Sequence, residues 1–282
     1  MLKKALDPLT PGILAWFPCS SVGTHMVCIP TLEHGNEKKM KSLTTDTFYN
    51  GRIQVKQNKS GYRFSIDAVL LAYHACPRED DKVLDLGTGC GIIPLMLAYR
   101  NPKIKIYGVE LQEALAEIAF LNIKDNNMED RVTILCLDMK DLKQGMIAGP
   151  ADLIVCNPPY RKAESGRMNP DEQRAVARHE IKVTLYDVIQ TARRMLNTSG
   201  KFITIYPAER FVDIISQMHS AGIEPKFFRM IHSKRDTEAK LILLEGIKGG
   251  RPGIKTGPPL IIYRKDDSYT DEVEKMMEGV VE

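Results

Sequence analysis

Val83-Leu84-Asp85-Leu86-Gly87-Thr88-Gly89-Cys90-Gly91 decides how the rest of the chain is read. A short apolar run of buried-strand character meets a tight glycine turn, and the apolar helical pattern Ile92 to Arg100 follows at once. With no Cβ at Gly87, Gly89 or Gly91, the main chain can take strained turns and press against a ligand that ordinary side chains would hold off. The spacing is G-x-G-x-G rather than the G-x-G-x-x-G of a pyrophosphate cradle, and Asp85 stands two positions before the first glycine. A buried carboxylate there disfavours a dinucleotide's pyrophosphate and suits a cationic ligand. S-adenosylmethionine (SAM), which carries an ammonium and a sulfonium but no phosphate, is the cofactor expected at Asp85, Gly87, Thr88, Gly89, Cys90 and Gly91.

Outward from this loop, short apolar runs alternate with longer helical patterns, the signature of an α/β fold in which helices wrap a parallel sheet. The runs predict strands over Lys82 to Leu86, Ile104 to Glu110, Val132 to Leu137, Ala151 to Cys156, Lys201 to Tyr206, Lys226 to Ile231 and Lys240 to Glu245. Helices are expected over Ile92 to Arg100, Glu113 to Asn126 and Leu185 to Leu196, with Gly200 making the last helix-to-strand turn. Glu110 closes its strand 19 residues after Gly91, where a carboxylate, with Leu111 beside it, can accept both ribose hydroxyls. Asp138 and Met139 follow the next strand, at the level of the cofactor's adenine amine.

Asn157-Pro158-Pro159-Tyr160 follows the apolar run Leu153-Ile154-Val155-Cys156. Ligands of open α/β sheets bind beyond the carboxyl ends of the strands, so this turn is expected to face the glycine loop. An exocyclic amine is a poor nucleophile because its lone pair is delocalised into the ring. Acceptors at the Asn157 side chain and the Pro158 carbonyl would fix an NH2 group and favour a tetrahedral nitrogen, and Tyr160 would stack on the planar target. Alignment is the main requirement, so no metal, covalent nucleophile or general base is expected.

The chain has 282 residues, 43% hydrophobic and 27% charged, with a net charge of +3. No apolar stretch approaches the roughly 20 residues of a membrane span. The six cysteines lack paired metal-ligand spacing and read as reduced core thiols of a cytoplasmic protein. Residues 1–39 show no clear periodicity, and Pro18 interrupts the run Ile13-Leu14-Ala15-Trp16-Phe17 too early for a secretory signal. Met40 reads as a natural start, which makes the preceding stretch an extension or a misplaced translation start. The expected organisation is this extension, a lid segment over 40–80, a catalytic domain over 81–248, and a basic loop with an acidic tail over 249–282. Lys248 to Pro259 is rich in Gly and Pro and is expected to be mobile.

The glycine loop, Glu110, Asp138 and the Asn157–Tyr160 tetrad together resemble the amino-group branch of the SAM-dependent methyltransferases. Tyr49-Asn50-Gly51, Gln57, the run from Gly61 to Ala72, and Ala177-Arg178-His179-Glu180 are similar to bacterial tRNA(Val) (adenine-N6)-methyltransferases. The resemblance implies a Rossmann-like fold with a seven-stranded, mostly parallel sheet, an antiparallel last strand, and helices on both faces. It also implies a monomer or weak dimer acting on the adenine 3′ of the anticodon. Tyr62, Arg63, Phe64 and Asp67 would then sit near the methionine part of SAM, although Phe64 also reads as core packing. Arg161, Lys162, Arg167, Arg174 and Arg178 are expected to meet RNA phosphates, as are Lys248, Arg251 and Lys255, with a solvated charged loop the plain alternative. The same tetrad chemistry fits a glutamine carboxamide in a protein such as a release factor, or a DNA adenine. A SAM- or RNA-binding module without turnover is the non-enzymatic alternative.

Overall fold

The computed structural model describes residues 43–59, 64–158 and 183–279. A hairpin of β1 (Leu43–Phe48) and β2 (Ile53–Asn58) comes first, followed by α1 (Ile66–His74). The sheet then grows through β3 (Lys82–Leu86), β4 (Lys105–Glu110), β5 (Val132–Cys136), β6 (Ala151–Cys156), β7 (Leu196–Pro207), β8 (Ile223–His232) and β9 (Ala239–Lys248). Between these strands run α2 (Ile92–Arg100), α3 (Glu113–Asp125), α4 (Leu185–Met195) and α5 (Phe211–Ser220), and α6 (Asp271–Glu278) ends the described chain.

The strand order is β5-β4-β3-β6-β7-β9-β8, with only β9 antiparallel to its neighbours. This is the seven-stranded, mostly parallel arrangement expected. The sheet is nevertheless wider, because β10 (Lys255–Thr256) and β11 (Leu260–Ile261) both pair with the outer edge of β8. They amount to one edge strand broken at Pro258-Pro259, where two residues lack the N–H a ladder needs. The segment expected to be mobile is therefore tied down: Gly257 N donates to Phe228 O at 2.8 Å, and Lys226 Nζ reaches the carbonyls of Arg251 and Gly253 at 3.0 and 2.6 Å. Composition announces a loop here, but the open edge of β8 supplies the partners.

Strands covered on both faces by helices can be apolar throughout, as Leu153-Ile154-Val155-Cys156 is. One core lies between the sheet and the hairpin, α1, α2, α3 and α6; the other lies under α4 and α5. A reciprocal cap sets the start of α4, with Asp187 N donating to Thr184 Oγ1 and Thr184 N to the Asp187 carboxylate. The chain passes from α4 into β7 at Leu196 without a loop; the left-handed residue there is Ser199 (φ 64), and Gly200 lies within the strand rather than forming the turn.

The hairpin is fastened to α3 by two asparagines one helical turn apart, Asn122 within the helix and Asn126 capping its C-terminus. Asn122 Oδ1 accepts from Lys56 N at 2.8 Å and its Nδ2 donates to Lys56 O at 2.8 Å. Asn126 repeats the pattern on Gln54, at 3.0 and 2.7 Å. Lys56 and Gln54 are alternate residues of β2, so the two amides stand in for a neighbouring strand. Tyr49-Asn50-Gly51 forms the hairpin turn, with φ of 53°, 55° and 80°, and Tyr49 N donates to Met277 O of α6.

Gly108 of β4 leaves room for the glycine loop to settle on the sheet: a Cβ there would stand 2.9 Å from both Thr88 Oγ1 and Ile134 Cδ1. Gly108→Ala is expected to destabilise the fold by about 1–3 kcal/mol through overpacking, read as a lower urea midpoint. An unchanged midpoint would show that these neighbours have slack to give.

Candidate functional site

The parallel registers align the carboxyl ends of the strands. Leu86 of β3 pairs with Val109 of β4 and with Cys156 of β6, so Gly87, Glu110 and Asn157 stand at one level on adjacent strands. Glu110 in turn pairs with Cys136 of β5, two residues before Asp138. Asp138, Glu110, the glycine loop and Asn157 thus form a row over three inter-strand gaps, roughly 14 Å at about 4.8 Å each.

The loop holds its shape through the main chain. Gly87 N and Thr88 N both donate to Val109 O at 2.9 Å, and Gly87, Gly89 and Gly91 all adopt left-handed φ, at 76°, 59° and 82°. Ordinary side chains resist that conformation. A Cβ on Gly91 would also come within 3.2 Å of Ala119 Cβ on α3.

Below the loop Asp85 is fully buried, and among the described residues neither of its oxygens, nor the Thr88 hydroxyl, nor Asn157 Oδ1 has a hydrogen-bond partner. Buried acceptors are normally satisfied, so this concentration of orphans marks a place built for something else to complete. Burial pushes the Asp85 carboxyl up to about 7; the neighbouring Thr88 hydroxyl, close by but not in hydrogen-bonding geometry, pulls it partly back, and the Glu110 carboxylate adds to the rise. A cationic group with N–H donors suits these residues, as expected for the ammonium and sulfonium of SAM.

Glu110 is buried, and its two oxygens accept from Gly89 N at 2.9 Å and Gln112 N at 2.8 Å. Burial raises its pKa, while the N–H groups of Gln112, Gly89 and Leu111 pull it back. Asp138 is partly exposed; one oxygen accepts from Lys140 N at 2.9 Å and the other lies 3.4 Å from Lys140 Nζ. Met139 faces the core under α4, its carbonyl taking hydrogen bonds from Thr191 and Arg194. Pro158 is buried beside Asn157. Cys90 and Cys156 are buried thiols, Cys90 pushed up to about 12 and Cys156 well above its ordinary value, so neither offers a thiolate; Cys76, by contrast, is exposed.

Phe64 lies between two roles: its ring packs 5.5 Å from Phe48, and its N–H donates to Gln57 Oε1 at 3.3 Å. Asp67 occupies the first turn of α1. Tyr62, Arg63, Pro159, Tyr160, Arg161, Lys162, Arg167, Arg174 and Arg178 lie outside the described residues. Lys248, Arg251 and Lys255 do not join the row. Antiparallel β9 returns the chain to the opposite edge of the sheet, where Lys248 Nζ is engaged by Leu196 O at 2.7 Å.

Asp46 was not anticipated. It is held on β1 by the Gln57 amide, and its charge, like that of Asp85, acts on Cys90 in the loop. The sequence carries no signal for it: Leu43 and Phe48, the two apolar residues of this stretch, fall on opposite faces of a strand, and Cys90 is far along the chain. Among the described residues, no helix is long and apolar enough to cross a membrane, and no cluster of His, Cys, Asp or Glu is placed to hold a metal ion.

A family model described as methyltransferase small domain matches residues 60–221. The chain is 35% identical over 178 residues to a tRNA1(Val) (adenine(37)-N6)-methyltransferase from Porphyromonas gingivalis, covering 61% of this chain and 69% of that relative. A protein of the same description from Tolumonas auensis is 26% identical over 222 residues, covering 78% and 90%. Among solved structures, a protein from Agrobacterium tumefaciens described as a predicted O-methyltransferase superposes with a TM-score of 0.60 at 22% identity, covering 76% of this chain and 96% of that one. P. horikoshii TYW2 in complex with MeSAdo gives 0.51 at 18% identity, covering 74% and 72%. These two likenesses establish the fold.

The unpartnered Asp85 carboxylate sets a pH dependence. Folded, it keeps its proton up to about pH 7; unfolded, it loses it at about 4. Between those values the folded chain binds more protons, so the ligand-free protein should lose stability as pH rises through this window. A cationic ligand prefers the carboxylate, so its affinity should climb over the same range and level off above about pH 7. Calorimetric titration of sinefungin and thermal melts from pH 5 to 8 should show both slopes, with Asp85→Asn flattening them. Slopes unchanged in that variant would assign the titration to another group.

Proposed function

The chain belongs to the methyltransferase small domain family, and from that premise we propose that it methylates N6 of an adenine in tRNA, with SAM as methyl donor. Several relatives bear the name tRNA1(Val) (adenine(37)-N6)-methyltransferase, which supports the adenine 3′ of the anticodon in a valine tRNA as the target. The observation that carries the reading is the row Asp138, Glu110, glycine loop, Asn157, with Asn157 Oδ1 buried and unpartnered beside the loop.

In this reading each position in the row meets one part of the reacting pair. Asp138 accepts from the cofactor's adenine amine. Glu110, with two lone pairs committed to backbone N–H groups, keeps others for the ribose hydroxyls. Asp85 and the loop face the charged methionine end. Bound SAM supplies a methyl group on a sulfonium, a strong electrophile. Asn157 Oδ1 and the Pro158 carbonyl accept from the target NH2, which holds the nitrogen in place and turns its lone pair toward the cofactor side. Tyr160 stacks on the base once it has left its helix. Arg161, Lys162, Arg167, Arg174 and Arg178 follow the tetrad in sequence and are assigned to RNA phosphates. We assign the enzyme to the cytoplasm, as a monomer or weak dimer.

Labelled SAM offered with separate pools of unmodified tRNA, ribosomal RNA, DNA and release factor should place label on tRNA as N6-methyladenosine. Label confined to the release factor would move the target to a glutamine amide, and label confined to DNA would make the target a DNA adenine. Asn157→Ala should lower kcat at least about a hundredfold while sinefungin still binds. Turnover at the wild-type rate would remove Asn157 from the chemistry.

A further inference from the structure

Asn122 is fully buried on α3, far in sequence from both segments it touches. Its Nδ2 donates to Cys90 O at 2.9 Å as well as to Lys56 O at 2.8 Å, while Oδ1 accepts from Lys56 N at 2.8 Å. One side chain therefore bridges the backbone of the hairpin and the backbone of the glycine loop. Cys90 lies between Gly89 and Gly91, both in left-handed conformation, so a hydrogen bond to its carbonyl fixes the plane of a peptide at the centre of the strained turn. Asn126 offers a natural contrast. It makes the same paired bonds to β2, adds one to Asn122 O in its own helix, and touches nothing in the loop.

We infer that Asn122 is a positioning residue for cofactor binding: it sets the glycine loop and locks the N-terminal hairpin to it, so that the hairpin is a working part of the cofactor site. The hairpin side of this bridge leads straight into the site. The next residue after Lys56, Gln57, is buried, accepts from Phe64 N and donates to the Asp46 carboxylate, whose charge reaches Cys90. An apolar replacement at residue 122 would orphan the Cys90 carbonyl and both backbone groups of Lys56 at once, whereas the same change at 126 would spare the loop. The inference rests on the reading of the row as a SAM site.

The test compares Asn122→Ala with Asn126→Ala in the full chain. Both lose the paired bonds to β2, so both should melt at lower temperature. Only Asn122→Ala should bind sinefungin at least about tenfold more weakly, as expected for losing one buried hydrogen bond with its acceptor left unsatisfied. Its KM for SAM should rise correspondingly, with kcat at saturating SAM and KM for tRNA staying within about threefold. Amide exchange in the wild-type protein gives a reading that no unfolded variant can spoil. Sinefungin should slow exchange of Lys56 N–H, which Asn122 holds, more than that of Gln54 N–H, which Asn126 holds. Equal effects of the two substitutions on sinefungin affinity, or equal protection of the two amides, would overturn the inference. A wild-type protein that failed to bind sinefungin would sink the SAM reading itself, and this inference with it.

Discussion

The glycine loop keeps its unusual shape because Glu110 and Val109 hold its N–H groups from the neighbouring strand. Val109 O takes two consecutive N–H groups, Glu110 takes a third at Gly89, and the loop then leads directly into α2. Three left-handed residues in five positions would be a liability in a free segment, since glycine loses more conformational freedom on ordering than any other residue. Here the cost is offset by donors that would otherwise lie buried and unused. The same clamp decides what the site can accept, because Asp85 lies beneath it with no donor of its own.

Much of this was legible in the chain itself. The apolar runs gave β3 and β6 to the residue and β4 and β5 to within one, because parallel strands buried on both faces leave little room for polar positions. Asp85, Glu110 and Asn157 were legible as well, since a strand-end position in an α/β sheet is fixed by the strand before it. The hairpin pairing, Asp46 and Asn122 were not. The hairpin is local, but Leu43 to Phe48 lacks the alternation of a half-buried strand; Asp46 and Asn122 act on segments far away in sequence, and a buried asparagine in an amphipathic helix looks like any other polar residue on its flank. The pair Asn122 and Asn126, one turn apart on the same helix, was the available signal, and its meaning required the edge of β2 opposite it.

The C-terminal region shows the opposite failure. Lys248 to Pro259 reads by composition as a mobile loop, yet Lys255 and Thr256 pair with the outer edge of β8 and Lys226 holds the carbonyls of Arg251 and Gly253. The acidic stretch after Asp266 also gains a role that charge counting does not reveal. In α6, Asp271, Glu272 and Glu274 fill the first turn, where the helix dipole favours acids; Glu272 takes both guanidinium nitrogens of Arg229, and Arg264 spans Asp271 and Glu274. These pairs are largely exposed and contribute modestly one by one. Val273 and Met276, buried beneath them, do more to anchor the helix.

The proline break beside β8 bears on how the molecule behaves in company. A sheet with a long, unbroken margin invites other chains to add themselves to it, the first step of aggregation. On one flank an incoming strand would meet Pro258-Pro259, which breaks the outermost pairing into two two-residue pieces; on the other it would meet β5, only five residues long. One flank is broken and the other short, so among the described residues neither margin of this sheet offers a long row of partners to an incoming strand.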